Sequence, residues 1–373
     1  MTRRAAEVAL TLGLGEAERG WLAELDGLGP AAVVLPGPAA AAEELAALGC
    51  PPEACDDASR TLPDPERDPE RWWLLERALA RLEMGLGDPE AERGSWPQLP
   101  PSLGLEGSCF YLHLFLAALP AARAWHAGHG VPAEVSAATF ADLGRHVAIH
   151  RSVSGTTGVD EPWWLTLHLR ALIFEIGRLQ YVTLRLGGPE APDPWLDATT
   201  AEALGEGFRP GDPALGVHIP AAGPLTPESC GASLARAREV LDVVAPVRTH
   251  RVATCESWLL DSQLGALLPP ESNILAFQRR FRLVPGGRRG DRSVLTFVFR
   301  DEIGDFCDEI GDLDRLAQDT TLQRAVVTFL RAGGHFEIRS GWLELPEPRA
   351  AAASAAAEIP AGAVAAGRRV RWT

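Results

Sequence analysis

Apolar residues recur along this chain with two different periods, and the change falls near residue 187. Up to that point the spacing is helical. Trp72-Trp-Leu-Leu-Glu-Arg-Ala-Leu-Ala-Arg-Leu puts apolar side chains at 72, 75, 79 and 82, one stripe of an amphipathic helix. Leu62-Pro-Asp-Pro-Glu-Arg-Asp-Pro leads into it with residues that favour a helix start. Residues 109–119, 135–150 and 163–186 predict further helices, the last being the longest uninterrupted run. Residues 85–107, with five Gly and four Pro, predict a loop.

Beyond Gly187 the runs shorten and strands enter. A loop with Pro189, Pro192, Pro194, Pro210 and Pro213 leads to Leu215-Gly-Val-His-Ile-Pro, a short strand. Residues 227–244 predict a helix opened by Thr226-Pro-Glu, and Arg251-Val-Ala-Thr-Cys-Glu-Ser-Trp a strand. A short helix over 259–268 follows. The β-rich runs 274–284 and 293–300, joined by Pro285-Gly-Gly-Arg-Arg-Gly-Asp, predict a hairpin. A helix over 321–331, stopped by Gly333-Gly334, and an alternating strand over 335–345 complete the order β-α-β-α-β-β-α-β. The expected fold is α+β: a mostly helical domain over 1–210, a mixed-sheet domain over 211–346 and an Ala-rich tail over 347–373.

Composition narrows the function. A length of 373 residues suits two domains, and 46% hydrophobic with 23% charged residues is an ordinary globular balance. A net charge of −15 argues against a nucleic-acid or anionic-membrane partner, which would need a basic surface. The apolar stretch behind Met1-Thr-Arg-Arg is broken by Glu7, Thr11 and Gly13, a poor signal-peptide core. Six cysteines without a Cys-x-x-Cys pair point to reduced thiols and a cytoplasmic location. The sequence contains no lysine, which excludes Walker A nucleotide binding, the protein-kinase nucleotide clamp and pyridoxal Schiff-base chemistry.

Several constellations could carry chemistry. His146 and His150 lie one helical turn apart, a spacing that suits zinc or a satisfied polar pair, and His126-x-x-His129 is a weaker pair of the same kind. Seven carboxylates between 301 and 314 form an acidic segment that would either face water or attract a cationic amine. Arg279, Arg280 and Arg282 form a basic island suited to a phosphorylated cofactor, or a charged hairpin tip. Asp319-Thr320-Thr321 opens a helix, where free N–H groups accept an anion or a simple cap. His168, Glu175 and Arg178 can share a helical stripe, as a buried ionic cluster or as a substrate-facing one.

Trp163-Trp-Leu-Thr-Leu-His, Gly177-Arg-Leu-Gln, Ser257-Trp-Leu-Leu-Asp, Phe277-Gln-Arg-Arg-Phe, Leu322-Gln-Arg-Ala and Arg331-Ala-Gly-Gly-His resemble a bacterial family. Its members pair an N-acyltransferase helical N-terminal domain with a GNAT-like C-terminal domain, and the likeness covers most of 105–345. The resemblance implies transfer of an acyl group from acyl-CoA, or from the pantetheine of an acyl carrier protein, to an amine of a small molecule or peptide, without a metal. It also implies two splayed central strands that hold pantetheine, one expected within 293–300, with the pyrophosphate on the helix 321–331. Gln318, Thr320 and Thr321 would then line the phosphate loop, although Arg315-Leu-Ala-Gln-Asp-Thr carries no glycine. The attacking amine needs a base. Glu256 is the first candidate, then His335 and His250. Cys255 could form an acyl-enzyme or serve as a buried structural thiol. The only tyrosines, Tyr111 and Tyr181, fall in the helical part, leaving water, Ser340 or a group from the other domain to protonate the leaving thiolate. A non-catalytic GNAT-like binding protein and a zinc hydrolase built on His146 and His150 are the alternatives.

Overall fold

Five helices open the chain: α1 (Arg3–Thr11), α2 (Glu16–Asp26), α3 (Pro38–Ala47), α4 (Pro52–Arg60) and α5 (Pro69–Met84). The computed structural model describes residues 1–91, 94–187, 198–244, 250–299 and 313–346. Most of the acidic segment and the tail over 347–373 lie outside them. After a 3-10 turn (Pro101–Leu103) come α6 (Gly104–Ser108), α7 (Phe110–Gly128), α8 (Ala133–Ser154) and α9 (Pro162–Leu169). The helix α7 buries most of its surface among α3, α5, α8 and α9. The stretch Pro101–Gly128 is long and apolar enough to cross a membrane, yet most of it is buried inside the protein, where it forms the centre of the bundle. Helix α8 comes close to the backbone after α3 at Gly144, where an added Cβ would stand 2.1 Å from the carbonyl oxygen of Leu48.

The helix expected over 163–186 stops at Leu169. Ala171 takes a left-handed φ of 53°, and the chain then turns into a hairpin of β1 (Ile173–Ile176) and β2 (Leu179–Arg185). Ile176 pairs with Leu179, so Gly177-Arg178 is a two-residue turn, and Gly177 supplies the positive φ (69°) that such turns require. Aromatic and β-branched residues (Ile173, Phe174, Tyr181, Val182) favour strands, and the neighbouring strand overrides the helical spacing.

After α10 (Ala198–Leu204), β3 (Pro213–His218) runs antiparallel to β2 with Gln180 opposite His218. Helix α11 (Pro227–Val244) then crosses to β4 (Val252–Ser257), which pairs parallel with β3. A 3-10 turn (Trp258–Leu260), α12 (Leu264–Leu267), α13 (Asn273–Gln278), β5 (Arg282–Leu283), β6 (Arg288–Arg289), α14 (Asp291–Phe299), a 3-10 turn (Leu313–Arg315), α15 (Thr321–Arg331) and β7 (Glu337–Glu344) complete the described chain. The sheet order is β1-β2-β3-β4-β7-β5, with β6 paired to the start of β7. The hairpin expected from 274–284 and 293–300 is therefore replaced by helices on either side of two short strands. Ser272 caps α13 through the Ile274 N–H, and Val294, Leu295 and Phe299 share one buried helical face of α14. Despite its β-favouring composition, 293–299 is helical and is not the splayed strand expected there.

Candidate active site

The β3–β4 ladder consists of three pairs: Ala214 with Val252, Leu215 with Ala253 and Gly216 with Thr254. Both strands run on, β3 to His218 and β4 to Ser257, without pairing to each other, while β4 keeps its full register with β7 from Val252 to Ser257. Backbone groups on the facing edges are left open to a guest. His218 stands at this opening, half-buried, its ring centroid 4.7 Å from that of Trp164 on α9. The helical region thus reaches the end of β3 directly.

The loop over 219–226 leads from β3 into α11. Arg178, on the β1–β2 turn, holds it by three hydrogen bonds: Nη1 to the Pro220 carbonyl (3.1 Å), Nη2 to Gly223 (2.8 Å) and Nε to Pro224 (3.1 Å). Arg280 donates to the Pro227 carbonyl at 2.5 Å and lies beside Gly231. Arg178 therefore holds the loop that enters α11 and Arg280 the helix's first turn, where the helix dipole is positive. The other arginines of the expected island go elsewhere. Arg279 donates to the Pro270 carbonyl (2.9 Å), and Arg282 lies over the Trp342 ring, 4.8 Å from its centroid. Gln318, Thr320 and Thr321 gather at the start of α15, where Thr320 and Gln323 close a capping box and Arg324 binds the carbonyls of Gln318 and Asp319. That helix end is capped by its own side chains, and among the described residues no diverging strand leads into α15.

The three base candidates lie apart. Glu256, exposed on β4, is ion-paired to Arg288 at 2.6 Å. His335 precedes β7, with Nδ1 2.9 Å from Asp291 Oδ2 and 3.0 Å from Arg289 Nη2. His250 is fully buried at the opposite end of β4 from the divergence, with Nδ1 3.4 Å from Asp242 Oδ1. Burial, helped by the nearby Glu256 charge, pushes the Cys255 thiol up to about 12, which leaves almost no thiolate at neutral pH. Both tyrosines are buried donors. Tyr111 bonds the Pro97 carbonyl at 2.5 Å and Tyr181 meets Ser233 Oγ at 2.8 Å, and burial raises both phenols well above their usual range.

Two family models match the sequence: an N-acyltransferase N-terminal domain over residues 39–171 and a GNAT-like C-terminal domain over 173–343. Among solved structures, an acyltransferase in complex with decanoyl-CoA and teicoplanin shares 37% identity at a TM-score of 0.80, covering 92% of this chain and 99% of its own. A mutant acyltransferase in complex with octanoyl-CoA shares 36% identity at the same TM-score, covering 92% of this chain and all of its own. The chain belongs to this acyltransferase family. No curated protein matches it.

Where the two matched regions of the acyltransferase meet, a polar network is buried. Asp142 on α8 accepts from Arg145 Nε (2.9 Å) and Gln180 Nε2 (2.8 Å), and His168 Nε2 lies 3.0 Å away, in ion-pair reach but outside good hydrogen-bond angles. Burial alone would raise the Asp142 carboxyl. His168, His146 and Arg145 outweigh it and hold the group well below the usual carboxylate range. Glu175 on β1 bonds Arg145 and Gln180 (3.0 Å to the latter); burial nevertheless keeps its carboxyl above the ordinary range. Of the expected stripe, His168 and Glu175 thus meet through Asp142 and Gln180, whereas Arg178 serves the loop before α11. His146 turns to Asp142 (3.7 Å) and His150 to Asp160 (2.6 Å), so each of the two imidazoles faces its own carboxylate. His126 bonds Ser136 (2.9 Å) and His129 stacks on Trp125. Among the described residues no three metal-donor side chains converge. His218 is the residue that sequence reasoning passed over. Its signal was position: the last residue of a strand followed by a proline- and glycine-bearing loop and a long helix.

Proposed function

We propose that this acyltransferase moves an acyl chain of about the length held by its relatives from acyl-CoA to an amine of a small, peptide-like acceptor, by direct attack. The observation that carries the proposal is the end of the β3–β4 ladder at Gly216–Thr254 with His218 beside it. Pantetheine would extend the sheet along the open edges, and the pyrophosphate would rest on the 219–226 loop and the first turn of α11, between Arg178 and Arg280. Relatives in complex with decanoyl-CoA and with teicoplanin support the donor and acceptor classes.

In this reading the amine nitrogen attacks the thioester carbonyl carbon, and His218 takes the proton that the nitrogen sheds. The carbon–sulfur bond breaks, the amide forms, and the CoA thiolate takes a proton, leaving free thiol. His218 is preferred to the earlier candidates because Glu256 is ion-paired to Arg288, His335 is held between Asp291 and Arg289, and His250 is sealed in the core. Ser340, which pairs with Glu256 in the β4–β7 register, is the hydroxyl available near the end of β4 for the thiolate. The test is thiol release from decanoyl-CoA in the presence of teicoplanin, with the product weighed by mass spectrometry. Wild type should release one thiol per acylated acceptor, and His218→Gln should lose about 10²–10⁴-fold in kcat while still binding CoA. Tight CoA binding without turnover in wild type would favour a non-catalytic binder instead.

A further inference from the structure

Arg178 reaches three carbonyls of the segment between β3 and α11. That segment, over 219–226, has prolines at 220 and 224 and meets Pro227 at the helix start, so six of its eight residues keep an N–H, and Ala222 spends its own on the Pro220 carbonyl at 2.8 Å. A trans peptide holds each C=O opposite to the following N–H. Fixing the carbonyls of Pro220 and Pro224 on Arg178 therefore turns the N–H groups of Ala221 and Leu225 away from it. Gly223, at a left-handed φ of 67°, allows the reversal between them.

The turn carrying Arg178 is itself fixed to α11. Ser233, buried in the second turn of that helix, accepts from the Leu179 N–H (3.2 Å), donates to the Ile176 carbonyl and meets the Tyr181 hydroxyl at 2.8 Å. The β1–β2 turn, the loop and α11 are thereby locked as one piece. A lysine has one charged nitrogen and could not span three carbonyls in a plane.

We propose that Arg178 is a positioning residue that shapes the 219–226 loop to hold the pyrophosphate of the acyl donor. The proposal rests on the acyl-CoA reading given above and predicts something that reading alone does not: the residue matters only for donors that carry the nucleotide. Two donors separate the cases, decanoyl-CoA and the decanoyl thioester of N-acetylcysteamine, which lacks the pyrophosphate. For Arg178→Lys and Arg178→Gln, KM for decanoyl-CoA should rise at least tenfold, with kcat and the acceptor KM near wild type. With the short thioester, both variants should match wild type. Calorimetric titration with CoA should show the same tenfold loss without any turnover. Equal losses with both donors would reduce Arg178 to a fold-stabilising role, and an unchanged KM and CoA affinity would overturn the proposal outright. If wild type binds CoA tenfold tighter than the variants yet turns over neither donor, the transferase reading falls and the role of Arg178 stands. If wild type binds no CoA, both fall.

Discussion

A base serves acyl transfer only where its nitrogen can reach the attacking amine, and position separates the imidazoles of this chain. His218 ends β3 just past the last β3–β4 pair, with Trp164 against its ring. His250 shares β4 with the divergence yet sits at its sealed end. Cys255 shows the same logic from the other side. It lies on the diverging part of β4, where an acyl-enzyme would be convenient, but burial holds its thiol near 12 and it faces the core. Cys255→Ala should therefore leave turnover essentially unchanged, and mass spectrometry of wild type with acyl-CoA alone should find no acyl group on that residue. An acylated Cys255, or a dead alanine variant, would replace direct attack by a two-step route.

Elements whose burial follows one clean period were legible in the sequence. The helices α11 and α15 fall on the residues expected, 227–244 and 321–331, because each has a start signal and one apolar stripe. The strand β7 lies within its expected range for the same reason. Two segments were misread where composition and context conflict. In 163–186 a helical spacing hid the Gly177-Arg178 turn, and in 293–300 the β-branched and aromatic residues Val294, Phe297, Val298 and Phe299 hid a helix. The second error displaced the expected site, since the splayed pair had to be sought after residue 290 and the phosphate helix after 320. Only Arg280 of the expected phosphate-binding residues stands at α11.

The helix α7 also carries a pH dependence. Burial, with small further effects from Arg71 on one ring and from His168 and His129 on the other, pushes both His113 and His126 down to about 4 from an ordinary 6.5. Both are neutral in the folded protein at neutral pH. Between about pH 6.5 and 4 the unfolded chain takes up protons that the folded chain refuses, so this contribution is intact above 6.5 and lost on acidification. Each ring can cost up to about 3 kcal/mol over that window. The urea midpoint should fall from pH 7 to pH 4.5, with a shallower decline in a His126→Gln variant. A slope unchanged by that substitution would remove the ring as a cause.

At the scale of the whole molecule, the candidate active site lies at a junction. The helical region supplies Trp164 to the end of β3 and covers the edge strand β1, where Thr139 Oγ accepts the Glu175 N–H at 2.9 Å. Asp142 and Gln180 join α8 to the strand beside His218, so the relative placement of helices and sheet is fixed by buried polar contacts as well as by apolar contact. The lysine-free composition has a chemical consequence here: an acyltransferase handling reactive thioesters offers no lysine of its own to acylate. The divergence of β3 from β4 organises all of this, and a crystal structure with a non-hydrolysable decanoyl-CoA analogue tests it most directly. Pantetheine should run between β3 and β4 past His218, with the pyrophosphate on the 219–226 loop beside Arg178. Pyrophosphate at the Thr320 end of α15, or pantetheine anywhere but between those two strands, would contradict it.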